Sequence, residues 1–118
     1  MRNFKDLEIW VLAKAVATDT YKVTKQMPSE ELYGLTSQMR RAAVSIPSNI
    51  SEGCSRSSNK EFARFLEIAI GSAFELETQL ILSVDLKYIK EEDILGLIDL
   101  LNLLQLKINA FIKSVKKF

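Results

Sequence analysis

Histidine is absent from the 118 residues, and cysteine occurs once, at Cys54. Without histidine the chain holds no Ser-His-Asp or Cys-His nucleophile pair. A histidine-containing zinc site is excluded, and so is the four-helix di-iron arrangement, which needs Glu-x-x-His on two helices. A lone cysteine forms neither an intrachain disulfide nor a multi-thiolate metal site. The expected compartment is therefore a reducing cytoplasm, with Cys54 as a small packed or half-exposed residue rather than a reactive thiol. No cofactor or metal is expected.

Glycine and proline are also scarce, at four and two, which argues against a β-rich fold. Neither sign of charge is in excess: sixteen Lys and Arg face fifteen Asp and Glu, for a net +1. That balance gives no overall electrostatic pull toward nucleic acid or anionic membrane. Charge-free apolar runs such as "LLNLLQL" reach only about seven residues, far below a membrane span. The opening "MRNFKDLEIWV" is charged at once and has no signal-peptide stretch. No membrane partner is expected.

What remains is a strongly helical pattern in a chain that is 47% hydrophobic, enough for one cored domain over residues 1–118. Leu7, Trp10, Ala13, Ala17 and Tyr21 mark a first helix over about 6–26, with Asp6 as its N-cap. Pro28 disfavours helix at Met27, and Ser29 can cap a second helix over about 30–54. Leu32, Leu35, Met39, Ala42, Ile46 and Ile50 form its apolar stripe. Pro47 sits inside this stripe and predicts a kink, the alternative being two helices broken there.

Ser58 followed by Glu61 is a capping box, which starts a third helix over about 59–87. A fourth runs over about 91–115. Its thirteen Leu, Ile, Val and Phe wrap around more than the roughly 100° that one buried stripe needs. Short links between long helices predict an all-α, antiparallel up-down-up-down four-helix bundle. The surplus apolar surface of the fourth helix predicts association with other copies.

"FKDLEIW", "ELYGLTSQMRRAAVSIPSNISEG" and "EFARFLEIAIGSAFELETQL" resemble the family called four helix bundle protein. Its best-known members are encoded by intervening sequences within some bacterial large-subunit ribosomal RNA genes. The resemblance runs from about Phe4 to the end of the third helix. It implies a cytosolic bundle that forms a pentameric ring and has no established activity. It also implies kinship with the accessory variability determinant proteins of diversity-generating retroelements, basic pentamers that bind nucleic acid and a reverse transcriptase. The even charge balance here departs from that basic type.

The second helix carries a polar stripe of Gln38, Arg41, Ser45, Ser48, Asn49 and Glu52, with Glu31 before it and Ser72, Glu75 and Gln79 opposite on the third helix. One reading is a seam at a helix or subunit interface, with Arg41 buried and paired to Glu75, or to Glu31. Such a seam fixes register and oligomer state. The other reading is a groove that receives RNA, DNA or another protein. Arg40, Arg56, Lys60 and Arg64 near the second turn, and Lys113, Lys116 and Lys117 at the end, are then candidate phosphate contacts. Most such basic runs are solvated faces. Trp10 and Tyr21 fit core spacing better than base stacking. A hydrolase built on Glu31, Glu52 and Glu75 alone is the weakest reading.

The reading favoured at this point is a noncatalytic homo-oligomeric scaffold or adaptor, with an RNA- or DNA-binding oligomer as the alternative.

Overall fold

The computed structural model describes residues 2–117. Four α-helices follow in chain order: α1 (Glu8–Val23), α2 (Leu35–Cys54), α3 (Asn59–Asp85) and α4 (Leu95–Lys116). Each packs on its neighbours in the order α1–α2–α3–α4, with α4 closing back on α1. Short links make neighbours antiparallel, so the expected four-helix bundle is the fold. It measures 46 × 24 × 19 Å, a rod about as long as α3 alone.

The core is a single apolar cluster drawn from every helix. Ala13 and Val16 of α1 meet Met39, Ala43, Ile46 and Ile50 of α2, Phe62, Leu66, Ala69, Ala73, Leu76 and Leu80 of α3, and Leu101, Leu104 and Ile108 of α4. Their spacing of three, four or seven residues puts each set on one face. Two buried threonines add polar groups to this core with their hydroxyls satisfied, whereas the buried Thr36 hydroxyl has no partner among the described residues. Thr20 donates to the Val16 carbonyl (2.7 Å) and Thr24 to the Thr20 carbonyl (2.7 Å). Each hydroxyl is satisfied within its own helix.

α2 runs without interruption through Pro47, which excludes two separate helices. Proline has no N–H, so the Ala43 carbonyl loses its usual partner there. Ser58 accepts a hydrogen bond from the Glu61 amide (3.1 Å) and starts α3, as its capping box predicts. α3 ends in a Schellman motif. The Tyr88 amide donates to the Ser83 carbonyl and the Lys87 amide to the Val84 carbonyl, each at 2.9 Å. Lys87 occupies the left-handed position that glycine usually fills, at φ 65°.

Three helix starts differ from the sequence reading. Asp6 does not cap α1. Residues 4–6 form a 3₁₀ turn capped by Asn3, whose side chain accepts from the Lys5 amide, and α1 begins only at Glu8. The second helix does not begin near Glu30. Ser29–Glu31 is a separate 3₁₀ turn, and α2 starts at Leu35, after Gly34. Glu31 reaches forward to accept from the Leu35 amide (3.0 Å), so its carboxylate caps α2 in place of Ser29. A Cβ on Gly34 would lie 2.7 Å from Glu31 Oε1, so glycine leaves room for that cap. At the fourth helix, Glu91–Asp93 forms another 3₁₀ turn before α4.

α4 as a whole is long and apolar enough to span a membrane by length and composition, although its charge-free runs are short. Here it lays Leu97, Leu101, Leu104, Ile108, Ile112 and Val115 into the bundle core. Leu95, Leu103 and Leu106 stay exposed on its other sides.

Candidate functional site

The polar stripe of α2 and its counterpart on α3 meet in a shallow groove of about 340 Å³. Gln38, Arg41 and Ser45 line one wall, with Ser72, Glu75 and Gln79 on the other. The floor is tied by hydroxyls: Ser45 Oγ lies 3.0 Å from Ser72 Oγ. Asn49 Nδ2 donates back to the Ser45 carbonyl (2.8 Å) and to Ser45 Oγ (2.9 Å). Small side chains at these positions let the two helices approach closely.

The charged pair above that floor departs from expectation. Arg41 and Glu75 are both exposed, and among the described residues neither side chain forms an ion pair or hydrogen bond. The expected buried Arg41–Glu75 bridge is not made, and Glu31 is occupied with capping α2. Helical periodicity places Arg41 on the correct flank but does not tell how deep it sits. Gln79 is the groove's buried polar member, 8% exposed, and its Oε1 has no partner. A buried unsatisfied amide oxygen costs on the order of 1–3 kcal/mol.

The remaining stripe residues go elsewhere. Ser48 is exposed, and its carbonyl accepts from Ser51. Glu52 pairs with Arg56 one turn on (3.2 Å). The same Arg56 lies over the Phe65 ring at 4.6 Å. Arg40 is likewise engaged. Its Nε donates to Thr24 Oγ1 (3.0 Å) and its guanidinium covers the Tyr21 ring at 4.8 Å, so it braces α1 on α2. Tyr21 is 43% exposed beneath it, which corrects its placement in the core. Trp10 is half-buried, edge-on to Phe4 at 5.1 Å.

The other basic candidates converge. Lys60 and Arg64 on α3 and Lys116 on α4 line one open cavity at the end of the bundle, beside Glu61 and Glu67. Lys116 pairs with Glu67 at 3.0 Å. Lys113 and Lys117 are exposed at the same end. The fold therefore joins two basic patches that are half a chain apart in sequence.

It also separates charge along the rod. The end formed by residues 2–8, 52–67 and 113–117 carries eight basic and five acidic side chains. The opposite end, residues 19–31 and 85–99, carries four basic and eight acidic. A net charge of +1 conceals this polarity, and only the topology reveals it.

The family model described as 23S rRNA-intervening sequence protein matches residues 5–110. The chain belongs to this family. No curated protein matches it. The match covers α1 to α3 and α4 through Ala110, so the intervening-sequence protein family takes in the groove and the α3 part of the basic end, while Lys113, Lys116 and Lys117 lie beyond the matched residues. The likeness that the sequence carries through α3 extends over most of α4.

Proposed function

We propose that the protein is a noncatalytic, homo-oligomeric helical-bundle scaffold or adaptor acting in the cytoplasm, with further copies of itself as its first partners. The observation that carries this reading is the outer face of α3 and α4. Phe74 is 55% exposed, Ile81 48%, Leu95 55% and Leu106 70%. The Glu77–Gln105 hydrogen bond (2.8 Å) sets the register of these helices. Phe74 stands one turn before Glu77, and Leu106 follows Gln105, so both flank that bond. Ile81 and Leu95 share a groove with Ile98 farther along.

A monomer would leave this stripe in water. Covering large apolar side chains that are already half out of the core is worth roughly 1 kcal/mol or more each. Continuous exposed stripes of this kind mark protein contacts. The family resemblance favours a pentameric ring, which closes when one face meets an unlike face of the next copy. Light scattering tests the reading: the expected mass is several times 13.4 kDa. A 13.4 kDa species at micromolar concentration would overturn it.

The charge polarity of the rod favours a second reading, an oligomer that holds RNA or DNA at its basic end. Lys5, Lys60, Arg64, Lys113 and Lys117 are the exposed cations there with no ion pair among the described residues. Phosphate contacts make retention on RNA fall steeply with salt. Replacing Lys60, Arg64 and Lys113 together by Glu should abolish retention and leave the oligomer intact. Retention indifferent to both salt and these changes would sink this reading.

A further inference from the structure

We infer that the rod makes a second self-contact at its ends: the acidic end of one copy meets the basic end of another, so that oligomers stack head to tail along the rod axis. This contact is separate from the α3–α4 stripe and rests on the homo-oligomer reading only for its strength. The basic end carries an excess of three positive charges and the acidic end an excess of four negative ones. At the acidic end, Glu30 and the triplet Glu91, Glu92 and Asp93 stand exposed on two 3₁₀ turns. None of the four forms an ion pair among the described residues, and neither do Lys60, Arg64 and Lys113 at the other end. Opposite charges left open at the two ends attract one copy to the next.

Charge alone specifies no fit, and Tyr33 supplies one. It is 94% exposed on the turn that leads into α2, more than any other large apolar side chain among the described residues. Leu32 beside it is 46% exposed. A tyrosine held out in water is the residue type that anchors protein contacts. The basic end offers an open cavity of about 800 Å³, lined by Lys60, Arg64, Lys116 and the nearly buried Val115. An aromatic ring entering there meets an apolar wall and has cations to set over its face.

Exposed ion pairs are weak singly, so one pair of ends holds poorly. A ring changes that. The lateral stripe runs along the rods, so copies joined through it by rotation stand side by side with like ends on one rim. One rim is then basic and the other acidic, and two rings meet through as many contacts as they have copies. Unlike surfaces joined head to tail without closing make an open stack. Such a stack places no demand on how many copies the ring holds.

Mass against salt tests this, on protein freed of nucleic acid. The Debye length falls from about 30 Å at 0.01 M to about 3 Å at 1 M. Wild type should show one base mass at the high salt and at least twice that mass at the low salt. Lysine at Glu91, Glu92 and Asp93 together, or Glu at Lys60, Arg64 and Lys113 together, should hold the protein at the base mass in low salt. An equimolar mixture of the two triple variants should grow again, because one has two basic ends and the other two acidic ends. Tyr33→Ser should at least halve the growth without changing any charge. Far-UV circular dichroism checks that each variant is helical. If the lysine variant unfolds, Glu91→Gln/Glu92→Gln/Asp93→Asn carries the same expected loss of growth.

Four results overturn the inference: wild type that keeps its base mass at low salt, triple variants that grow as wild type does, a mixture that does not recover, or Tyr33→Ser that grows in full. Growth that ribonuclease removes also overturns it and makes RNA the occupant of the basic end. The base mass at high salt reads the homo-oligomer separately. A base mass of one chain overturns that reading, while the low-salt growth still decides this one.

Discussion

Ser45 Oγ and Ser72 Oγ lie 3.0 Å apart at the midpoint of the α2–α3 contact, the most extensive helix pairing in the bundle. Ser45→Ala removes one partner of this pair and one acceptor of Asn49 Nδ2, which keeps the Ser45 carbonyl. The site is half-buried, so Ser72 retains access to water. The expected loss is about 0.5–1.5 kcal/mol. Urea denaturation of the variant against wild type measures it, and an unchanged midpoint would show that the two hydroxyls contribute nothing net.

The start of α3 was legible in the sequence. Ser58 and Glu61 stand three apart, and their capping geometry is local, so the start of α3 follows from the residues alone. The start of α2 was not legible, because Glu31 caps it from outside the helix across Gly34. No pattern of neighbouring types announces that reach. The apolar surplus of α4 survives folding at Leu106, since counting faces is independent of partners. The depth of Arg41 in the single chain was not legible for the opposite reason: it depends on how closely α2 and α3 approach, which periodicity does not contain. The charge polarity needed the topology, because it joins residues near 60 to residues near 116.

Gly53 belongs to the last turn of α2 and packs under the start of α3. A Cβ there would lie 2.9 Å from both Phe62 Cδ1 and Phe65 Cβ. Phe62 is fully buried, edge-on to Phe111 of α4, so it has little room to yield. Gly53→Ala should therefore destabilise by about 1–3 kcal/mol despite alanine's better helix propensity. Gly71→Ala is the control, because nothing lies within 4 Å of its Cβ and propensity alone should act. Equal thermal shifts in the two variants would contradict the packing argument.

Lys87 holds φ at 65° to close the Schellman motif after α3. A left-handed backbone costs a non-glycine residue roughly 1–2 kcal/mol, and glycine returns part of that as unfolded-chain entropy. Lys87→Gly should stabilise the protein by about 0.5–1 kcal/mol, visible as a melting temperature a few degrees higher. Lys87 is exposed and makes no ion pair among the described residues, so no compensating contact is lost.

Leu106 is 70% exposed and touches the stripe that self-association would cover. Leu106→Lys places a charge there without disturbing the core, whose α4 members lie on the opposite face. The expected outcome is a smaller particle by light scattering with an unchanged far-UV spectrum. Phe74→Lys should act in the same direction from α3. If both variants keep the full wild-type mass, the α3–α4 stripe is not where copies meet.

Cys54 is 1% exposed at the end of α2, and burial pushes its thiol up, offset in part by the positive charge of Arg2. A thiol whose pKa is raised on folding keeps its proton in the folded state after the unfolded chain has lost it. Its contribution is fully present below the unfolded thiol pKa of about 8.5 and declines as pH climbs through that value toward the folded one. Stability should therefore fall as pH rises above about 8.5, and Cys54→Ala should flatten that part of the profile. The same burial predicts slow alkylation of the native protein by iodoacetamide and fast alkylation once urea unfolds it. Rapid native labelling at neutral pH would place the sulfur at the surface and contradict its packing.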